Sequence, residues 1–164
     1  MDLIIVRKIP IPDNPEAGFG SISWDGEVMI NRRLVQQLQL NEAEIDSAIQ
    51  KVRLELTRRM EKFRGKRPFP QLKDRTVITV DDGLASGYTM LSAVNSIRKY
   101  SPSAVIIAVP TASTSALELV SPQVDKIFCL NVRDKMMFAV ADAYQEWYDL
   151  SEEEVLEILK GFFR

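Results

Sequence analysis

Short β-branched apolar runs alternate along this chain with stretches whose apolar residues recur at helical spacing. That alternation is the signature of strands joined by helices. Strands are predicted over 2–8, around Leu3-Ile4-Ile5-Val6, and over 75–80, 104–109 and 125–130. Pro10 and Pro12 are expected to break the first of them, and 13–16 reads as turn chemistry. Residues 21–24 and 27–30 flank Asp25-Gly26, the pattern of a β-hairpin with a type I′ turn.

The helical stretches carry their own punctuation. Asn41 followed by Glu44 predicts a capping box, and Ile45, Ile49, Val52, Leu56, Met60 and Phe63 mark a buried stripe that ends near Gly65. Met90, Leu91, Ala93, Val94 and Ile97 predict a second helix, stopped by Pro102. A short helix is expected over 116–120. Ser151 and Glu154 open a last one, with Val155, Leu156, Leu159 and Phe162 facing inward. The whole predicts one domain over 1–164: a three-layer α/β fold with a mainly parallel sheet and a small β-hairpin hood.

Composition narrows the function. With 164 residues the chain is long enough for a substantial core, and its net charge of −2 argues against a general nucleic-acid binder. There is no histidine, which excludes imidazole chemistry. The single cysteine, Cys129, lies in an apolar run and reads as a small buried hydrophobe. No apolar run approaches the ~20 residues that span a bilayer, so a cytoplasmic, non-membrane protein is expected. Trp24 reads as packing, as large aromatics usually do.

The chemistry concentrates at Val77-Ile78-Thr79-Val80-Asp81-Asp82-Gly83-Leu84-Ala85-Ser86-Gly87-Tyr88-Thr89. A buried strand runs into two carboxylates and then into a small-residue loop that opens a helix. Amides at such a helix N-terminus suit an anion. Gly83 and Gly87 are expected to supply positive φ and close approach to a ligand, and Ser86 and Thr89 add hydroxyl donors. Paired aspartates beside a phosphate site make sense if the ligand also offers sugar hydroxyls or a hydrated Mg²⁺. The ligand so described is a phosphorylated ribose. A second hydroxyl-rich turn, Pro110-Thr111-Ala112-Ser113-Thr114-Ser115, follows the next strand on the same sheet edge.

Val-Asp-Asp-Gly-Leu-Ala-Ser-Gly-Tyr-Thr resembles the phosphoribosyl-pyrophosphate (PRPP) motif of the type I phosphoribosyltransferases. Val6-Arg7-Lys8 with Asn14-Pro15-Glu16, and Phe138-Ala139-Val140 before Trp147-Tyr148, resemble a branch of that family with unassigned substrates. The resemblance implies that Asp81 and Asp82 hold the ribose and favour the positive charge developing at C1, with Mg²⁺ bound there directly or through water. It implies that Gly83, Leu84, Ala85, Ser86, Gly87, Tyr88 and Thr89 wrap the 5′-phosphate. The reaction it implies is displacement of pyrophosphate from PRPP by a nitrogenous acceptor. The alternative is a non-catalytic sensor or subunit of the same fold that binds PRPP or a nucleotide. Ala85 stands where 6-oxopurine enzymes of the family have an acidic residue, so that position leaves the base open. Members of the branch also begin with a further strand and an Arg-Gly-Gly turn that binds pyrophosphate. This chain starts after that point, which predicts ligand binding stronger than turnover, and an uncovered sheet edge that favours a homodimer. Arg58, Arg59, Lys62, Arg64, Lys66 and Arg67 cluster upstream of the motif. They read either as cations at a helix C-terminus or, over 64–72, as the family's mobile flap.

Overall fold

The β-branched runs and the helical stripes fold as two sheets with α-helices between and behind them. A computed structural model describes residues 1–12, 14–134 and 139–162. Strands β1 (Val6–Ile11), β2 (Asn14–Ser23) and β3 (Val28–Ile30) form an antiparallel sheet in that order. Helices α1 (Arg32–Gln37) and α2 (Glu42–Phe63) follow. Then β4 (Thr76–Val80), α3 (Tyr88–Arg98), β5 (Ala104–Ser113), α4 (Thr114–Val120) and β6 (Lys126–Arg133) build a parallel sheet ordered β4-β5-β6. A 3₁₀ turn at Val140–Ala143 leads to the last helix, α5 (Glu152–Phe162).

The architecture is α/β, as its alternation predicts, and α3 is its middle layer. On one side Met90, Leu91, Val94 and Ile97 pack with Val105, Ile107 and Val109 of β5 and with Ala116 and Val120 of α4. On the other side α3 meets the antiparallel sheet. There the Ser96 hydroxyl donates to Ser23 Oγ (2.7 Å), and Lys99 reaches Asp25 (2.9 Å). A second core, Ile5, Ile9, Phe19 and Ile22 with Ile49, Val52, Leu56, Phe63 and Leu159, joins that sheet to α2 and α5. Among the described residues no helix is long and apolar enough to cross a membrane.

Several local expectations shift. The strand predicted over 2–8 begins only at Val6. Ahead of it the Arg64 guanidinium takes the Asp2 carboxylate and the Leu3 carbonyl, so that carbonyl is spent on a side chain. Pro10 does not break β1. It sits at a shift of register with β2, where a missing N–H is tolerated. Asn14 already belongs to β2, so 13–16 is not one long turn, and Asp13 lies outside the described residues. The hairpin turn has positive φ at Gly26 (83°) but not at Asp25. The Gly26 amide closes on Ser23 O (2.9 Å), which makes a type I turn ended by a left-handed glycine. Residues 110–113 extend β5, because Pro110 lies beyond the last β4–β5 pair and Thr111 to Ser113 pair with β6. Phe162 is exposed, at the end of α5 beyond the surface that buries Leu159. The α2 capping box, the Ser151–Glu154 cap and the left-handed Gly65 stand as predicted. Helix α1, capped by Asn31, is too short for a periodicity signal. Trp24 stacks on Phe69 (4.9 Å between centroids) and serves packing.

Candidate functional site

Strand β4 delivers Asp81 and Asp82 to the carboxyl edge of the parallel sheet, and the chain then crosses to β5. The Leu84 amide donates to Thr111 O (3.0 Å), and the Ser113 amide donates to Leu84 O (2.9 Å). Leu84 is thereby a buried core residue, not a ligand-facing one. Gly83 does not need positive φ. A Cβ there would come within 2.8 Å of Thr111 Cγ2 and of a Val140 methyl, so glycine is required by packing. Gly87 does adopt positive φ (77°), turning the loop into α3 with Ala116 3.2 Å from where its Cβ would be.

Among the described residues no side chain caps α3. The amides of its first turn face the loop unmatched by a side-chain oxygen, at the positive end of the helix dipole. Around them Ala85, Ser86 and Thr89 are exposed, Gly87 is buried and Tyr88 is half-buried. The loop is fastened from behind by Ser113, whose hydroxyl donates to Ala85 O (2.7 Å) and accepts from the Ala116 amide (3.0 Å). Thr111 is buried and donates to Asn131 O (3.2 Å). Of these hydroxyls that of Ser113 supports the loop, which makes Ser113 a positioning residue, while that of Thr111 holds β6.

Asp81 and Asp82 are both exposed, and among the described residues neither makes an ion pair. The Asp81 carboxyl is hemmed in by protein, and that desolvation, with Asp82 beside it, pushes its pKa up to about 6, although the Asp82 amide donates to it (3.1 Å). Desolvation raises Asp82 too, opposed by the Gly83 amide. Among the described residues the pair is negative charge held without a counter-cation. Among the described residues no three acidic, cysteine or histidine ligands converge. Two carboxylates nevertheless fit Mg²⁺, which keeps waters and takes only one or two carboxylates when it arrives with phosphates.

One group that sequence reasoning left without a role closes the site. The Tyr144 hydroxyl donates to Asp82 O (2.7 Å), and Val140 packs against Gly83. Tyr144 also packs on Trp147, 5.1 Å between centroids and tilted 58°. An aromatic pair following the small-residue run Ala139-Val140-Ala141 was the only available signal. Phe138, singled out with them, lies outside the described residues.

The basic segment over 64–72 is not a flap over the acid pair. Arg64 is almost fully buried, bound to Asp2, Leu3 O and Pro68 O (3.2 Å). Arg58 and Lys62 pair with Glu152 of α5. The segment enters β4 at its amino end, where the Arg75 amide donates to Leu72 O (3.1 Å). Five residues of strand, about 17 Å, separate that end from Asp81.

A family model described as "Phosphoribosyl transferase domain" matches residues 24–147. Two strains of Mycobacterium tuberculosis (CDC 1551 / Oshkosh and ATCC 25618 / H37Rv) carry a protein provisionally named a phosphoribosyl transferase that is 33% identical over 159 residues. The match takes in 97% of this chain and 36% of that protein, so the chain spans about a third of the length of these relatives. The crystal structure of the protein TT1426 from Thermus thermophilus superposes with a TM-score of 0.71 at 30% identity, over 96% of this chain and 74% of that one. With the family model covering most of its length, from the hairpin turn to the aromatic pair, this chain belongs to the phosphoribosyl transferase domain family.

Proposed function

We propose that the chain binds a ribose 5-phosphate ligand, PRPP or a nucleotide, across residues 81–89, and transfers the phosphoribosyl group to a nitrogenous acceptor. The observation that carries this reading is that one sheet edge pairs two aspartates with a helix N-terminus, the first without an ion-pair partner and the second without a side-chain cap among the described residues. The 5′-phosphate takes the amides between Ala85 and Thr89, with the Ser86 and Thr89 hydroxyls beside them. The ribose hydroxyls lie against Asp81 and Asp82. In the reaction the bond from C1 to the pyrophosphate oxygen breaks and its electrons leave with pyrophosphate. The acceptor nitrogen supplies the new bond and releases its proton. Asp81 and Asp82 oppose the positive charge that develops at C1, so catalysis is positioning and electrostatics. Mg²⁺, when bound beside these carboxylates, supplies charge neutralisation to the leaving pyrophosphate.

The second reading is a protein that binds PRPP or a nucleotide without turning it over. It is favoured by the basic residues upstream of the motif: Arg58, Lys62 and Arg64 are engaged elsewhere. We also take the chain to act as a homodimer, because among the described residues nothing covers one face of its parallel sheet.

Calorimetric titration of ribose 5-phosphate tests the site. Ser86 is exposed, so Ser86→Glu leaves the fold intact while placing a carboxylate at the phosphate position. Affinity should fall at least tenfold, and an unchanged affinity overturns the assignment. Pyrophosphate release from PRPP with a panel of acceptors then separates the two readings.

A further inference from the structure

We infer that the chain carries a second small-molecule site, remote from residues 81–89, that takes an aromatic ring bearing one carboxylate. This site does not rest on the phosphoribosyl reading.

The C-terminal half of α2, the hairpin turn and the segment after α2 enclose a cleft of about 530 Å³, a size that suits a small organic ligand. Its floor is apolar, made by buried Leu56 and half-buried Met60. Trp24 forms a wall: Phe69 stacks on part of the indole, and the half-buried remainder borders the cleft. Gly26 and Gly65, both at positive φ (83° and 57°), border it without a side chain to fill the mouth. The segment that leaves the cleft enters β4 at the end remote from Asp81.

The walls are fixed in advance. Ser96 and Lys99 of α3 hold Asp25, beside Gly26, at 3.0 and 2.9 Å. Arg64 binds Asp2 and Pro68 O, and Arg67 donates to Phe63 O (2.6 Å) and Arg64 O (3.2 Å), which secures the chain on either side of Gly65. A preformed cleft of this kind loses little entropy when a ligand docks.

Charge sets the ligand's sign. Arg53, Arg64 and Arg67 border the cleft against one acid, Glu61. Asp2 offsets Arg64, so the surplus is a single positive charge. Arg53 is exposed, and among the described residues it makes no ion pair. Its planar guanidinium matches a carboxylate in both charge and shape. The floor and wall set the ligand's body, because an indole and a thioether both favour an aromatic ring.

The experiment titrates the full chain by calorimetry with 2-naphthoate, and with 2-naphthylmethylamine as the same ring carrying a cation. 2-Naphthoate should fill one site per chain by about 1 mM, the strength that ordinary ligand efficiency allows a body of this size. It should bind at least tenfold more tightly than the amine, and excess ribose 5-phosphate should not displace it. In a Trp147→Phe background the one remaining indole is Trp24, and its N–H proton resonance should shift on binding. Arg53→Glu should lower the affinity at least tenfold, and Thr57→Phe, whose ring would fill the cleft, should abolish binding. Both positions are exposed, so the fold survives these changes. Absence of binding, equal affinity for the amine, displacement by ribose 5-phosphate, an unmoved Trp24 resonance, or affinity that survives either substitution would overturn the site.

Discussion

At the scale of single residues, the site is marked by what its groups lack. Asp81 has a carboxylate neighbour and, among the described residues, no cation, and its pKa stands near 6 against an ordinary 3.8. A carboxyl whose pKa is raised on folding binds its proton more tightly in the folded state. Its ionisation therefore costs stability as pH climbs from about 4 to about 6, and the cost persists above that. Asp81→Asn removes the cost. It should stabilise the protein at pH 8 by about 1 kcal/mol, after the roughly two-unit shift is discounted for solvent screening. The gain should shrink through pH 5 and vanish near pH 4, while ribose 5-phosphate binding is lost. Urea denaturation at pH 8, 6 and 4 checks this, and equal stability at all three would show the carboxyl to be unstrained. Gly83 makes a related point: its missing side chain leaves room for Thr111 and Val140, so it serves the loop's seating.

At the scale of elements, the loop and α3 are held by neighbouring segments. Ser113 of β5 grips Ala85, Leu84 borrows two backbone hydrogen bonds from β5, and Tyr144 grips Asp82. By contrast α2 is remote, tied to α5 through Arg58, Lys62 and Glu152. Its capping box, in which Asn41 and Glu44 exchange hydrogen bonds of 3.0 and 2.9 Å, is purely structural. Asn41→Ala should cost about 1 kcal/mol of stability with ribose 5-phosphate affinity unchanged. A shift in affinity would mean that α2 communicates with the site.

At the scale of the molecule, topology explains an unusual surface. The order β4-β5-β6 advances in one direction, so right-handed crossovers put α3 and α4 on the same face of the sheet. Among the described residues nothing covers the other face. The register sets Ile78 beside Ile106, and Val80 beside Ala108 and Phe128. Ile78, Val80 and Leu130 are 60%, 75% and 90% exposed, with Phe128 and Val132 also open. Parallel sheets are ordinarily covered on both faces. These side chains expose on the order of 600 Å², at the top of what an ordinary monomer shows, and with their rim they approach the ~800 Å² each partner gives a standard interface. That area is what a second copy of the chain would need, and it supports the homodimer proposed above. Sedimentation should find two 18.6 kDa chains together, about 37 kDa. Leu130→Lys, harmless to a monomer because the residue is already exposed, should return the single chain. A monomeric unmodified chain, its face left to some other polypeptide, would refute the dimer.

The order of residues by itself determined the strands of the parallel sheet, the capped helices, and the acid–acid–glycine–loop–helix unit. Each is a local pattern: β-branched runs, 3.6-residue periodicity, Asn41 with Glu44, and two aspartates before a small-residue loop. Tertiary structure decided what depends on distant partners. It gave Leu84 and Gly83 a packing role, because β5 and Val140 occupy the space beside them. It locked Arg64 onto Asp2, 62 residues away, where neighbouring charges in sequence suggested a flap. It brought Tyr144 to Asp82, across another 62 residues, a contact for which no spacing rule exists. And it left one sheet face uncovered among the described residues, because with right-handed crossovers the side each helix takes follows from the strand order β4-β5-β6, which no single stretch of sequence carries.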